Sequence, residues 1–194
     1  NNYPEGFDSM QKLLRLSGEI DAMNERVGRL ISWLVLIMVL LGVYNAVTRK
    51  LSQTIGVDLS SNAYIEGQWF MFSLVFLWGA GYALKHQAHV RVDILYSRVS
   101  ERAKAWIDVI GTCLFLFPLS ALIIWVSYTY AADSWITMEG SPDPGGLPRY
   151  LIKSAIPIAF ILLMAQGLSE LIKQIAFLRG FIPYPHSNEA EEGI

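Results

Sequence analysis

Three histidines, one cysteine and a thin scatter of carboxylates are the groups in this 194-residue chain that could bind a metal or move a proton. His86 and His89 stand three apart, a spacing that puts both imidazoles on one face of a helix and could begin a zinc site. Asp93 is the nearest carboxylate and Cys113 falls inside an apolar run, so the ligand set stays incomplete. Headgroup contact or helix-end packing accounts for the pair equally well. No metal and no cofactor are expected. Serines and histidines are not placed for a Ser-His-Asp or Cys-His unit, which points away from an enzyme. Gly145 and Gly146 belong to no GxxxxGK[ST] or GxGxxG pattern, so no phosphate cradle is expected.

The elements that carry these residues follow from composition. Apolar residues make up 53% of the chain and charged residues 16%, against roughly 25% charged in a soluble domain. Mean hydropathy is +0.37. That balance excludes a disordered, collagen-like or disulfide-built chain and describes a small integral membrane protein. A formal charge of −2 leaves no basic face for nucleic acid.

Four apolar runs are read as membrane-spanning helices, at about 30–48, 67–84, 109–132 and 152–172, since about 20 helical residues cross a hydrocarbon core. Pro118 and Pro157 predict kinks in the third and fourth. Eleven of the 15 lysines and arginines fall on one set of alternate sides. This places both termini and the middle loop in the cytoplasm. The first run is too long for a signal-peptide core and is read as an anchor. The predicted architecture is all-α: a cytoplasmic segment 1–29, a four-helix membrane domain 30–178, and a cytoplasmic tail 179–194 with an acidic cluster.

Two stretches have the pattern of helices lying in the membrane interface. Met10, Leu13, Leu14, Ile20 and Val27 recur near helical spacing, with Lys12, Arg15, Glu19 and Glu25 elsewhere on the wheel. Val92, Leu95, Val99, Ala103 and Trp106 form a second stripe beside Arg91, Arg98 and Arg102. Such helices place cations toward lipid headgroups. Between the third and fourth runs, residues 133–153 hold Pro142, Pro144, Gly145, Gly146 and Pro148, which specify a rigid, turn-rich excursion.

Inside the runs there is no histidine to ligate haem, which argues against the alternative of a membrane-anchor subunit in a redox complex. No ionisable residue lies centrally; Glu66 and Asp133 sit at outer edges and Glu170 near an inner end. The chain alone therefore lacks the groups of a coupled carrier. Small residues recur at spacing four in Gly28/Ser32, Gly42/Ala46, Gly79/Ala83, Ala155/Ala159 and Ala165/Ser169, a pattern that lets membrane helices approach closely. Part of the remaining surface must meet lipid or dock a larger partner.

Gly81-Tyr82-Ala83-Leu84, followed by His89-Val90-Arg91-Val92-Asp93-Ile94-Leu95, resembles the H-[IV]-R-[VI]-D motif of the DctQ-like small membrane subunit of tripartite ATP-independent periplasmic (TRAP) transporters. Pro144-Gly145-Gly146-Leu147-Pro148, with Lys153 and Pro157, resembles one branch of that family, and the likeness spans about residues 26–180. The resemblance implies a multi-pass protein of the bacterial inner membrane that binds neither substrate nor sodium. Its implied partners are lipids, a large polytopic membrane subunit that it scaffolds, and a periplasmic solute-binding protein that it helps to dock during sodium-driven carboxylate uptake. A 2-oxo or hydroxy monocarboxylate is the favoured solute. His89, Arg91 and Asp93 are the implied motif residues. Gly81, Trp69, Ser73, Leu77 and Trp78 lie near one side of the second run as candidate partner contacts, with Trp69 equally suited to an interfacial anchor. Asp58, Glu139 and Asp143 are candidate contacts for the binding protein.

Overall fold

A computed structural model describes residues 7–56, 61–87 and 99–185. Among them all regular structure is helical: α1 (Phe7–Ile55), α2 (Asn62–Lys85), α3 (Glu101–Gly111), a π-helical turn (Thr112–Leu116), α4 (Phe117–Ile136) and α5 (Arg149–Leu178). Among the described residues three helical stretches are long and apolar enough to cross a membrane: α1, the continuous rod Glu101–Ile136, and α5. The second expected span, 67–84, falls in α2. At 24 residues it is about 36 Å long, but Gln68, three glycines and the tryptophans dilute its apolar content.

Helix α1 runs unbroken through residues 29 and 30, as one helix of 49 residues. At about 1.5 Å per residue it is much longer than the roughly 30 Å hydrocarbon core. Its buried positions Met10, Ser17, Asn24 and Ile31 are seven apart, the spacing of a helix packed along one seam. Polar residues occupy much of that seam, whereas Leu13, expected on an apolar face, is exposed.

Pro118 is accommodated differently from a simple kink. Its ring would collide with the carbonyl four residues back, and its nitrogen offers no donor. The π turn immediately before α4 widens the backbone at that point. Gly167 of α5 makes room for the wider turn: a Cβ there would stand 2.7 Å from Leu116 Cδ2 and 3.3 Å from Phe117. Of the second interfacial stripe, Val92 and Leu95 lie outside the described residues. In α3, Trp106 is exposed and Ala105 buried, and the helix continues into the rod.

The chain divides into two compact units. The first comprises Asn1–Glu25, Gly81–Ala121 and Leu162–Ile194. Its interior combines apolar Met10, Ala105, Ile172 and Ala176 with an extended polar cluster. Ser17 and Ser169 share a hydroxyl contact of 2.7 Å, and Asn24 donates to Gln166 at 2.8 Å. Gln166 donates in turn to Asp21 at 2.9 Å and Glu170 at 3.1 Å. Lys173 bridges Asp21 and Glu170 at 2.7 and 2.9 Å. Such pairing is what buried polar groups require. The second unit comprises Arg26–Ala80 and Leu122–Ile161. There Ala155 and Ala159, one of the expected small pairs, are both buried.

Candidate functional site

In the second unit the excursion between α4 and α5 is shorter than the 133–153 expected, because α4 persists to Ile136 and α5 begins at Arg149. Turn chemistry builds it locally. Met138 takes a positive φ of 47° as α4 ends, and Glu139 N–H returns to the Ser134 carbonyl at 3.0 Å. Gly145, at φ 73°, supplies the left-handed residue. Asp143 N–H bonds to Ser141 Oγ at 3.0 Å, and Gly146 N–H to the Asp143 carbonyl at 3.1 Å. Asn62, at the start of α2, donates to the Pro144 carbonyl at 3.0 Å.

Two carboxylates clamp this loop. Glu66 of α2 is 3% exposed. It accepts from the Ser141 hydroxyl, the Leu147 N–H and, at 3.5 Å, the Arg149 guanidinium. Gly146 is obligatory beside it, because an added Cβ would lie 2.6 Å from Glu66 Oε2. Glu139 accepts from Ser134 at 2.7 Å and from Lys153, while its backbone carbonyl accepts the Arg149 N–H at 2.9 Å. The Lys153 ammonium, then the Ser134 hydroxyl, hold the Glu139 carboxyl below its ordinary value.

Beside the clamp is an open cleft of about 250 Å³. Trp69, Ser73 and Leu77 of α2 form one wall, facing Tyr130 of α4 and Arg149, Ile152, Lys153 and Ile156 of α5. The Arg149 guanidinium lies 5.2 Å from the Trp69 ring centroid, and Lys153 Nζ lies 3.9 Å from that of Tyr130. Each cation is thus held both by a carboxylate and by a ring face. The lining of the cleft combines aliphatic Leu77, Ile152 and Ile156 with these charged and aromatic groups.

Three sequence-predicted residues, Trp69, Ser73 and Leu77, therefore share this wall. Trp78 donates its indole N–H to the Ala155 carbonyl at 3.2 Å. Glu139 belongs to the clamp, and Asp143 is exposed on the loop. Gly81 lies in the first unit against Asn24, where a Cβ would stand 2.7 Å from Oδ1 and 3.5 Å from the Leu162 carbonyl. Asp58, His89, Arg91 and Asp93 lie outside the described residues. His86 meets Glu25 at 3.1 Å, and Lys85 meets the same carboxylate at 2.6 Å. Among the described residues no three His, Cys, Asp or Glu side chains group to hold a metal.

Sequence reasoning noted Glu66 only as an edge residue and missed Arg149 as its partner, as it missed Lys153 and Tyr130 beside Glu139. Glu66 meets Ser141 and Arg149 across 75 and 83 residues, so no local pattern announces the clamp. The polar seam left a fainter trace: Ser17 and Asn24 are seven apart, and Gln166, Ser169, Glu170 and Lys173 follow helical spacing.

A family model described as "Tripartite ATP-independent periplasmic transporters, DctQ component" matches residues 38–177, well over half of the chain. No curated protein and no solved structure matches it.

Proposed function

The chain belongs to the DctQ component family of the tripartite ATP-independent periplasmic transporters, and from that premise we propose that it is the small, non-substrate-binding membrane subunit of such a transporter. In this reading it scaffolds a large polytopic subunit and helps a periplasmic solute-binding protein to dock during sodium-driven uptake of a carboxylate, a 2-oxo or hydroxy monocarboxylate being favoured. Helix α2 also spans the membrane, as the second of four spans, and both termini are cytoplasmic. The family match over 38–177 carries the proposal.

Packing supports it. Only 11% of the apolar window in α1 and 6% of that in the Glu101–Ile136 rod is buried within the chain, against 39% in α5. Faces left so open meet lipid or a partner in the membrane. The cations Arg149, Lys153 and Lys173 are paired within the chain, as suits structural residues. The α2 wall of Trp69, Ser73 and Leu77, with Trp78 on the same helix, is assigned to partner contact, whereas Gly81 is buried within the chain against Asn24. Arg91 and Asp93, beside the motif residue His89, are assigned to fixing the segment after α2, and Asp58, Glu139 and Asp143 to the side that receives the binding protein.

Purification from the native membrane in mild detergent, with mass spectrometry and a visible spectrum, tests the proposal. A much larger polytopic protein at fixed stoichiometry and no haem band is the expected result. Redox subunits with a Soret band, or a chain that runs alone, would overturn it.

A further inference from the structure

We infer that Glu66 is a positioning residue, a buried carboxylate that holds the α4–α5 loop in the shape the solute-binding protein recognises. The inference rests on the docking role proposed above and adds the device that makes docking selective.

A loop with three prolines and three glycines between residues 140 and 148 has the local stiffness for turns but no regular hydrogen-bond ladder to fix its course. Glu66 supplies that course from outside the loop. Its bonds reach Ser141 near one end, Leu147 near the other, and Arg149 at the first residue of α5. A carboxylate has about four acceptor positions, and only such a group can serve all three donors at once. The surrounding space is fitted to it, because Gly146 leaves no room for a side chain beside Oε2. Asn62 ties down the Pro144 carbonyl from the same helix. Glu139 secures the opposite flank through Ser134 and Lys153.

The charge of Glu66 is thereby turned inward, onto Arg149, and that of Glu139, which stays partly exposed, is paired with Lys153. What faces outward is the turn Pro142, Asp143, Pro144 and Gly145, all exposed, with Met138 exposed at its shoulder. A turn already ordered in its bound shape loses little freedom when a partner covers it. A single outward carboxylate flanked by prolines fits a shallow, weakly apolar patch bearing a basic side chain. The partner to which the inference commits is therefore the binding protein with that chemistry at its docking face.

Glu66→Gln keeps the volume but turns an amide N–H toward a loop donor. Ser141→Ala removes one donor at the loop itself and serves if the buried substitution prevents assembly. Each variant would be purified as the complete complex in nanodiscs. Amide hydrogen exchange of residues 141–147 would be followed by mass spectrometry, and association with the purified solute-binding protein by interferometry. The large subunit is expected to copurify as before, loop exchange to rise roughly tenfold, and the dissociation constant for the binding protein to rise several-fold. Unchanged exchange in an assembled variant would overturn the role of Glu66 and leave the docking role standing. Faster exchange with unchanged association would overturn the inference alone, whereas a parent complex that does not bind the solute-binding protein would overturn the docking role.

Discussion

The two units each carry a pair of carboxylates and at least one cation, arranged to opposite ends. In the first unit Asp21 and Glu170 share Lys173, and the group joins one helix to another across about 150 residues of chain. In the second unit Glu66 and Glu139 each have a separate cation, and the groups join a loop to the helices around it. A cation shared by two carboxylates cannot be removed without leaving both negative charges facing each other in a partly buried place. A carboxylate with its own cation and several hydrogen bonds can lose one partner and keep the rest. The first arrangement fixes the packing of helices; the second fixes the surface the molecule presents.

That contrast fails most visibly if the two lysines are interchangeable. Lys173→Met should cost about 3 kcal/mol, the low end for breaking a buried pair because the lysine retains some exposure. Lys153→Met should cost less, because its partner Glu139 is 39% exposed and keeps its bond from Ser134. Thermal unfolding of the detergent-solubilised complex measures both, and equal shifts in midpoint would erase the distinction. Gly81→Ala is expected next, at about 1–3 kcal/mol for overpacking, because its Cβ would meet Asn24 Oδ1 at 2.7 Å. Asn24→Ala in the same chain should recover part of that loss. A double-mutant cycle in which the two penalties simply add would remove Gly81 from the polar seam.

Acid sharpens the comparison from the side of the loop. The Glu139 carboxyl is held low mainly by Lys153 and then by Ser134. Its contribution is therefore complete above the usual carboxylate value of about 4.3 and is lost as pH falls through the lower folded value. Corrected for intrinsic rates, amide exchange near Glu139 should accelerate as pH falls below about 4. Lys153→Met should flatten that dependence, since it removes the leading cause of the shift. An unaltered profile in the variant would assign the effect to another group.

How much of this was legible in the sequence follows from the range of each interaction. Uncharged runs found α1, the rod and α5 because length and hydropathy are local quantities. The proline and glycine run found the loop for the same reason, although Trp135, whose indole donates to Ser154 at 2.7 Å, extends α4 past the predicted end. The Ala155/Ala159 pair was legible because small residues at spacing four leave a mark on one helix. The polar seam was not, because apolar residues such as Leu13 face outward and Ser17 finds its partner 152 positions away. Hydrophobic periodicity presumes water outside and an apolar interior. A chain that meets lipid on its open faces inverts part of that pattern, so stripes of leucine do not identify the packed side.

The smallest expected effect on stability belongs to Asp143, and it separates presenting a surface from building one. Its side chain is exposed on the turn that Glu66 holds, so Asp143→Lys should change stability by no more than about 0.5 kcal/mol. The loop amides should exchange as they do in the parent chain. If the turn meets a basic side chain on the binding protein, charge reversal should slow association rather than hasten dissociation, and the difference should shrink as salt rises, as for a charge at the rim of an interface. Interferometry on the nanodisc complex at low and high ionic strength resolves the two rates. An association rate independent of both substitution and salt would show that the outward carboxylate is idle, and would leave Glu66 as the support of a surface whose recognition is apolar.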